Sequence, residues 1–202
     1  MTEFVHLHVH SQYSMLDGAL KVKNLVKLVQ KQGMNAVALT DHGNMFGAIT
    51  FYKAAKDAGV KSILGAELEV VTNGHGHHLP LLATSEEGYK NLVALVSRGY
   101  VDPDPGGTPG VPCVPLSALE GKTKGLIGLT GCMGGVLSQS ILEQGIESGA
   151  KTLATLKDLF EPGSLYVELQ DHGLPEQPIL KGILRDLAKR FDLPLVATND
   201  VH

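Results

Sequence analysis

The sequence predicts an α/β protein built from βα units around a mainly parallel sheet. Two observations carry this reading. Short apolar runs alternate with stretches of helical periodicity along the 202 residues. Residues able to bind metal recur where those runs end, and parallel α/β barrels gather their chemistry at the C-terminal rim of the strands.

The elements follow in order. Residues 4–10 read Phe-Val-His-Leu-His-Val-His. Period two places Val5, Leu7 and Val9 on one face of a strand and His6, His8 and His10 on the other. After a loop over 11–18, Val22, Leu25, Val26 and Val29 have the spacing of a helix that Gly33 ends. Residues 36–40 make a buried strand that runs into Asp41-His42-Gly43-Asn44. A helix over 45–57 is closed by Gly59, and the strand over 60–71 carries Glu67. A strand over 79–83 is preceded by a glycine-rich, hairpin-like loop in which His75 and His77 are read as solvated, with His78 at the strand's opening. A helix over 86–97 buries Tyr89, Leu92, Val93 and Val96. Residues 101–115 hold five prolines and three glycines and are read as a loop, not an element. The strand over 126–130 leads into Gly131-Cys132-Met133-Gly134-Gly135, and helices follow over 135–143 and 147–159. A strand over 165–169 leads into Asp171-His172-Gly173. Leu180, Ile183, Leu184 and Leu187 mark the last helix, and a strand over 194–198 ends in Asn199-Asp200-Val201-His202. No sequence repeat or shift of composition divides the chain, so residues 1–202 are read as one domain.

Composition narrows the function. Seventeen basic against twenty-one acidic residues exclude a polybasic nucleic-acid binder while leaving room for a local basic patch. Two cysteines, Cys113 and Cys132, spell neither a disulfide scaffold nor a zinc ribbon. Residues 1–6 lack a secretory pattern, and no apolar run approaches a membrane span, so the expected setting is the cytoplasm. The nine histidines are clustered, not scattered.

His8 and His10 close the first predicted strand, His42 follows the second, Glu67 lies on the third, His78 opens the fourth, Cys132 follows the fifth, and Asp200 and His202 follow the last. Imidazole, carboxylate and one thiolate meeting at a rim suit zinc, manganese or iron. Each piece also has a plainer reading. Asp41 caps a helix or orients a ligand, Glu67 is a surface carboxylate, Cys132 a small buried hydrophobe, and Asp200-Val201-His202 a frayed end. Their joint recurrence beside predicted strands favours a metal site. His6 lies deeper on its strand and suits an interior hydrogen bond.

His8-Val9-His10-Ser11-Gln12-Tyr13-Ser14-Met15-Leu16-Asp17-Gly18, Thr40-Asp41-His42-Gly43-Asn44, Gly65-Ala66-Glu67 and Asn199-Asp200-Val201-His202 resemble the PHP (polymerase and histidinol phosphatase) superfamily. The Tyr-Ser-x-Leu-Asp-Gly tail, Gly88-Tyr89-Lys90-Asn91-Leu92 and Gly131-Cys132-Met133-Gly134-Gly135 are similar to the N-terminal PHP domain of bacterial DNA polymerase III alpha subunits. The resemblance implies a distorted (β/α)7 barrel with up to three divalent ions at its rim. One ion would take His8, His10, Glu67 and Asp200; a second would share Glu67 and add His78 and Cys132; a third would take Asp17, His42 and His202. Glu67, His8, His10 and Asp200 are the catalytic candidates. Ser11, Tyr13 and His172 are candidates for touching substrate, with loop anchoring the alternative for the first two and support of a ligand for the third.

Clustered divalent ions suit phosphoester hydrolysis. The resemblance points to a 3′–5′ exonuclease acting on a DNA 3′ end, with the remainder of the polymerase subunit and a separate exonuclease subunit as partners. A metal-stabilised docking module is the alternative. A small-molecule phosphatase ranks third, because Arg98, Arg185 and Arg190 all fall in or beside predicted helices. A complete α/β barrel of eight strands takes about 250 residues. The barrel is therefore expected to be incomplete at the C-terminus, and the chain to be a fragment of a larger subunit.

Overall fold

The computed structural model describes residues 4–15 and 17–202; Leu16 and residues 1–3 lie outside it. The elements run α1 (Val22–Lys31), β1 (Ala36–Leu39), α2 (Ala48–Asp57), β2 (Lys61–Thr72), β3 (His75–Ala83), α3 (Glu86–Val101), β4 (Cys113–Pro115), a 3-10 turn (Leu116–Leu119), β5 (Leu126–Leu129), α4 (Val136–Gln144), α5 (Ile146–Leu159), β6 (Leu165–Leu169), α6 (Gln177–Phe191) and β7 (Leu195–Ala197). The strands lie in the order β1-β2-β3-β5-β6-β7, with β4 paired to β2. The result is a curled α/β sheet of distorted-barrel type.

Residues 6–10 span the space between β1 and the chain after β7. Ala38 N–H donates to His6 O and Thr40 N–H to Val9 O on one side, while His10 N–H donates to Val201 O and Val201 N–H to His8 O on the other. The alternation over 4–10 predicts a regular strand; the structure has a bend at His8 and one parallel bridge, Val9 to Val201. The bend splits the apolar face. Leu7 packs with Ala38, Leu82 and Leu129, whereas Val9 joins Val22, Leu25 and Phe51 against α1 and α2.

The sheet is less parallel than expected. β2 and β3 form an antiparallel hairpin in which Thr72 faces His75, and β3 also pairs antiparallel with β5. The turn is Asn73-Gly74, with φ of 53° and 80°. Two successive left-handed residues match the twist of a two-residue hairpin, and Asn-Gly is the strongest short signal for one. His75 and His77 therefore belong to β3 and not to a loop, and His77 is buried. The proline-rich stretch also differs from expectation: α3 extends to Val101, and Cys113–Pro115 adds to β2 as a parallel strand.

The largest core cluster gathers α3, α4, α5 and α6 against β2, β3, β5 and β6, with Leu79, Leu81, Leu92, Leu119, Leu137 and Leu153 fully buried. At about 25 cal/mol per Å² of apolar surface removed from water, such side chains are what hold the barrel wall in place. Among the described residues no helix is long and apolar enough to cross a membrane.

Candidate metal centre

β1 is followed by Thr40, whose hydroxyl donates to Val9 O and accepts from Val9 N–H, locking the His8–His10 segment alongside. Asp41 then accepts three hydrogen bonds, from Ser11 N–H at 2.6 Å, Ser11 Oγ at 3.0 Å and Ser14 Oγ at 2.9 Å. Ser14 Oγ in turn lies 3.1 Å from His10 Nδ1 and accepts from His42 N–H. Asp41 thus orients ligands through Ser14; the N-cap of α2 is Gly47. The buried Ser11 hydroxyl is committed to Asp41, and the Tyr13 ring packs over Gly47. Ser11 thus ties the loop to Asp41, while Tyr13 packs against Gly47 and also lines a surface concavity with Gln12 and Lys21.

Glu67 is held beside His42 by main-chain bonds, Glu67 N–H to Asp41 O and Gly43 N–H to Glu67 O. His78 N–H donates to Gly134 O, which draws the Cys132 loop against β3. Gly131 makes that turn at φ 87°, and a Cβ there would sit 2.7 Å from the Gly135 Cα and 2.8 Å from His78 O. Asp200 has φ 47°, a left-handed conformation that Asp tolerates better than most residues. His172 Nε2–H donates to the neighbouring Asn199 O at 2.9 Å, so His172 supports the ligand segment from behind.

These constraints bring all nine predicted ligands to one place. Glu67 Oε2 lies 2.7 Å from His8 Nε2, while Glu67 Oε1 lies 2.7 Å from His42 Nδ1 and 3.1 Å from His78 Nδ1. Asp200 Oδ1 is 3.2 Å from both His8 Nε2 and His10 Nε2 and 3.3 Å from His202 Nε2. Asp17 Oδ2 meets His42 Nε2 at 3.0 Å and His202 Nδ1 at 3.2 Å. Cys132 Sγ is 3.7 Å from His78 Nδ1. The His10 ring stacks on those of His42 and His202 at 4.0 and 4.3 Å between centroids. His8, His10 and Glu67 form the buried floor, and Asp17, His42, His78 and His202 stand at the mouth. The mouth opens into a cleft of about 280 Å³ walled by Gly43, Glu69 and Val111.

Three chelating groups fit within this cluster: His8-His10-Asp200, His42-Glu67-His78 and His10-His42-His202. The grouping differs from the sequence expectation: His10 falls in two groups, Glu67 joins His42 and His78 and not His8 and His10, and Asp17 and Cys132 fall in none of the three. His42 turns Nδ1 toward Glu67 and His78 as well as Nε2 toward Asp17, so it stands between two groups.

One functional residue was missed. Glu168, fully buried on β6, accepts from His8 Nδ1–H at 2.8 Å, from Gly131 N–H and from Gln170 Nε2, and also from the Thr198 hydroxyl. The contact assigns the His8 proton to Nδ1 and turns the Nε2 lone pair to the centre. A single carboxylate inside an otherwise apolar strand was its signal. His6 departs from expectation too: its Nδ1 is buried without a hydrogen bond, and the ring packs edge-on to Phe4 at 4.9 Å.

The electrostatics are strongly coupled. Burial opposes charge on His8, yet Glu168 and Glu67 on either side hold its pKa well above the usual imidazole range. Burial likewise opposes charge on His42, and Glu67 and Asp17 raise it. Burial lowers His10. Glu67 stays well below the usual carboxylate range despite full burial, because His42 and His8 face it. Asp200, against the same burial penalty, is drawn down to about 2 by His10 and His8. Burial, with Glu67 and Asp200 nearby, pushes the Cys132 thiol up, so without a cation it is neutral; coordination deprotonates such a thiol outright.

The donor set can be tested for fit to a cation. His8 Nε2, His10 Nε2, both Glu67 carboxylate oxygens and Asp200 Oδ1 are buried and have no hydrogen-bond partner, although they crowd within a few ångströms. Among the described residues their close approaches are not hydrogen bonds, and in the groups His8-His10-Asp200 and His42-Glu67-His78 the ligand atoms lie within 4.8 Å of one another, close enough to meet at shared points. Leaving a buried polar atom unpaired costs about 1–3 kcal/mol. Divalent cations at those points satisfy all of them, so the residues fit the metals.

Fold and centre together define an α/β barrel that collects imidazoles and carboxylates at one rim. The chain belongs to the PHP family, whose domain matches residues 6–172. It is 43% identical to an error-prone DNA polymerase of Symbiobacterium thermophilum over 98% of its length, covering 19% of that protein. It is 40% identical to the DNA polymerase III subunit alpha of Treponema pallidum over 98% of its length, and 39% identical to that of Thermus aquaticus over 99%, covering 18% and 17% of those proteins. The chain thus spans less than a fifth of the curated relatives it matches. Among solved structures, it superposes with a TM-score of 0.65 on a protein from Bifidobacterium adolescentis assigned as a metal-dependent phosphoesterase, at 17% identity, covering 100% of this chain and 88% of that one. An amidohydrolase from Chromobacterium violaceum gives the same TM-score at 16% identity, covering 98% and 87%. These two likenesses bear on fold alone.

Proposed function

We propose that this chain is a metal-dependent phosphoesterase domain within a larger replicative polymerase subunit, trimming DNA from its 3′ end. The observation that carries the reading is the set of atoms of His8, His10, Glu67 and Asp200 that, among the described residues, are buried, without hydrogen-bond partners and gathered into metal-sized groups. Asp17, His42, His78, Cys132 and His202 complete the ligand set for up to three ions. The donors suit zinc, manganese or iron. Bound divalent ions would clamp phosphoryl oxygens and lower the pKa of water toward about 7.

The chain's own residues divide the remaining work. Glu67, with Oε2 toward His8 and Oε1 toward His42, would help hold the ions from both oxygens. Glu168 keeps the His8 proton on Nδ1, and Asp41 acts through Ser14 on His10. Asp17, His42 and His78 line the cleft, where a phosphodiester would have access, and His202 lies beside Asp17. The polymerase relatives support the remainder of such a subunit as its context; a separate exonuclease subunit as partner and a cytoplasmic setting are part of the proposal.

The test is to incubate the chain with Mn²⁺ or Zn²⁺, a 5′-labelled single-stranded oligonucleotide and a simple phosphate monoester. Laddering from the 3′ end that His8→Ala abolishes supports the proposal. Phosphate release from the monoester alone would make it a small-molecule phosphatase. No turnover, with a large loss of thermal stability on chelation, would make the metals a structural brace.

A further inference from the structure

Helix α1 carries a charge pattern at odds with its own stability. Lys21 is its N-cap, Lys23, Lys27 and Lys31 follow, and the segment contains no acidic residue, in a chain whose net charge is −4. The N-terminal end of a helix is the positive end of its dipole and favours anions, and like charges at i, i+4 repel. Here the N-cap side chain makes no capping bond and the first turn has no acid. Among the described residues, Lys21, Lys23 and Lys27 have no ion-pair partner.

These three lysines line one concavity of about 290 Å³, together with Gln12 and Tyr13 from the ligand-bearing loop and Thr50 of α2. Gln12 and Tyr13 sit in the chain between His10 and Asp17, so the groove shares a loop with the metal centre. On its other flank the Tyr13 ring packs over Gly47, and next to Gly47 stands Phe46, 64% exposed with its ring 6.1 Å from that of Tyr100. A basic groove beside exposed aromatic rings is how proteins hold single strands: lysines follow the backbone phosphates and rings stack bases.

We propose that the Lys21-Lys23-Lys27 groove binds the phosphate backbone of a single-stranded nucleic acid and feeds its end to the rim. The inference deepens the phosphoesterase reading by giving the strand a surface that holds it beside the rim, and it rests on that reading only for the fate of the strand. An anion in the groove removes both conflicts in α1, because it meets the helix dipole and screens the lysines from one another. The local rule that α1 breaks is thereby explained by a ligand.

The experiment measures binding of a fluorescent oligo(dT) by anisotropy in chelator, where nothing is cleaved. The double variant Lys23→Glu/Lys27→Glu is compared with a charge-matched control, Lys151→Glu/Lys189→Glu, on α5 and α6. All four side chains are exposed, so neither variant disturbs the core. The groove variant is expected to weaken binding at least about tenfold and to flatten the plot of log K against log salt by about 1.4, since each phosphate contact on a single strand contributes about 0.7. Its hydrolysis of a small diester, bis(p-nitrophenyl) phosphate with Mn²⁺, is expected to be unchanged. Equal binding by the two variants overturns the groove. So does a loss confined to anionic phosphatidylserine vesicles, which would make the surface a membrane contact. Lysine-dependent oligo(dT) binding by a chain that hydrolyses no diester supports the groove and refutes the phosphoesterase reading.

Discussion

His8 Nδ1 lies 2.8 Å from Glu168 Oε1, both side chains fully buried, 160 residues apart in the chain. The contact joins the first segment of the barrel to β6 and fixes which imidazole nitrogen faces the centre. A carboxylate behind a histidine ligand raises its basicity and holds its orientation, and losing such a partner costs about 10–100-fold in metal affinity. Glu168→Gln keeps the shape and removes the charge. Its affinity for Mn²⁺ or Zn²⁺, measured by competition with a chromogenic chelator, is expected to fall by that factor while the circular dichroism spectrum is retained. Unchanged affinity would show that Glu168 serves packing alone.

The pKa shifts give a signed pH dependence. Asp200 and Glu67 are depressed, so the stability they contribute is complete above the unfolded carboxylate value of about 4 and is lost as pH falls through their folded values, about 2 for Asp200. Thermal melts in chelator are expected to lose Tm between about pH 4 and 2. Near neutrality the raised His8 and His42 contribute stability that is complete below about 6.5 and lost as pH rises through their folded values, while His6, His10 and His77, lowered by burial, act in the opposite sense. A metal competes with the protons of His8 and His42. The Tm gained on adding Mn²⁺ is therefore expected to grow as pH rises from about 6 to about 8. A gain that shrinks over this range would contradict the assignment of those two imidazoles.

Cys132 offers a thiol at the centre, 3.7 Å from His78 Nδ1. Thiolate favours zinc, and replacing it by hydroxyl favours harder ions. Cys132→Ser is expected to weaken Zn²⁺ binding more than Mn²⁺ binding, lowering the ratio of the two association constants by about tenfold or more. An unaltered ratio would remove Cys132 from the ligand set.

The hairpin that carries His78 turns at Gly74, where φ is 80° and a Cβ would meet nothing within 4 Å. Gly74→Ala thus tests backbone strain without a clash. A left-handed alanine costs about 1–2 kcal/mol, and a chain of this size loses about 2–4 °C of Tm per kcal/mol. Differential scanning calorimetry that shows no loss would contradict the turn.

Much of this architecture was legible in the residues. Four valines and leucines placed α1 because a helix repeats every 3.6 residues, and short apolar runs placed β1, β5 and β6. Periodicity reports which face is buried but not which strand is the neighbour. For that reason the sheet read as mainly parallel, and the stretch before residue 79 read as a hairpin-like loop although Asn73-Gly74 marks a hairpin between two strands. The prolines over 101–115 hid Cys113–Pro115, a strand of three residues whose pairing is long-range. The candidate ligands were named from spacing and family likeness, and the structure gathers them in one place. Glu168 could not be found that way, because its role depends on a contact with His8 across the barrel. Asp41 acting through Ser14 is legible only once the loop has folded.

Metal content tests the central claim most directly. The chain and its Glu67→Gln variant are stripped with chelator, equilibrated by dialysis against micromolar Mn²⁺ or Zn²⁺ at pH 7.5, and assayed for bound metal by mass spectrometry. Glu67 has one oxygen toward His8 and the other toward His42 and His78. The expected result is more than one ion per wild-type chain and a loss of at least one in Glu67→Gln. Equal, near-zero occupancy in both would contradict the metal centre, and with it the hydrolytic function proposed for this chain.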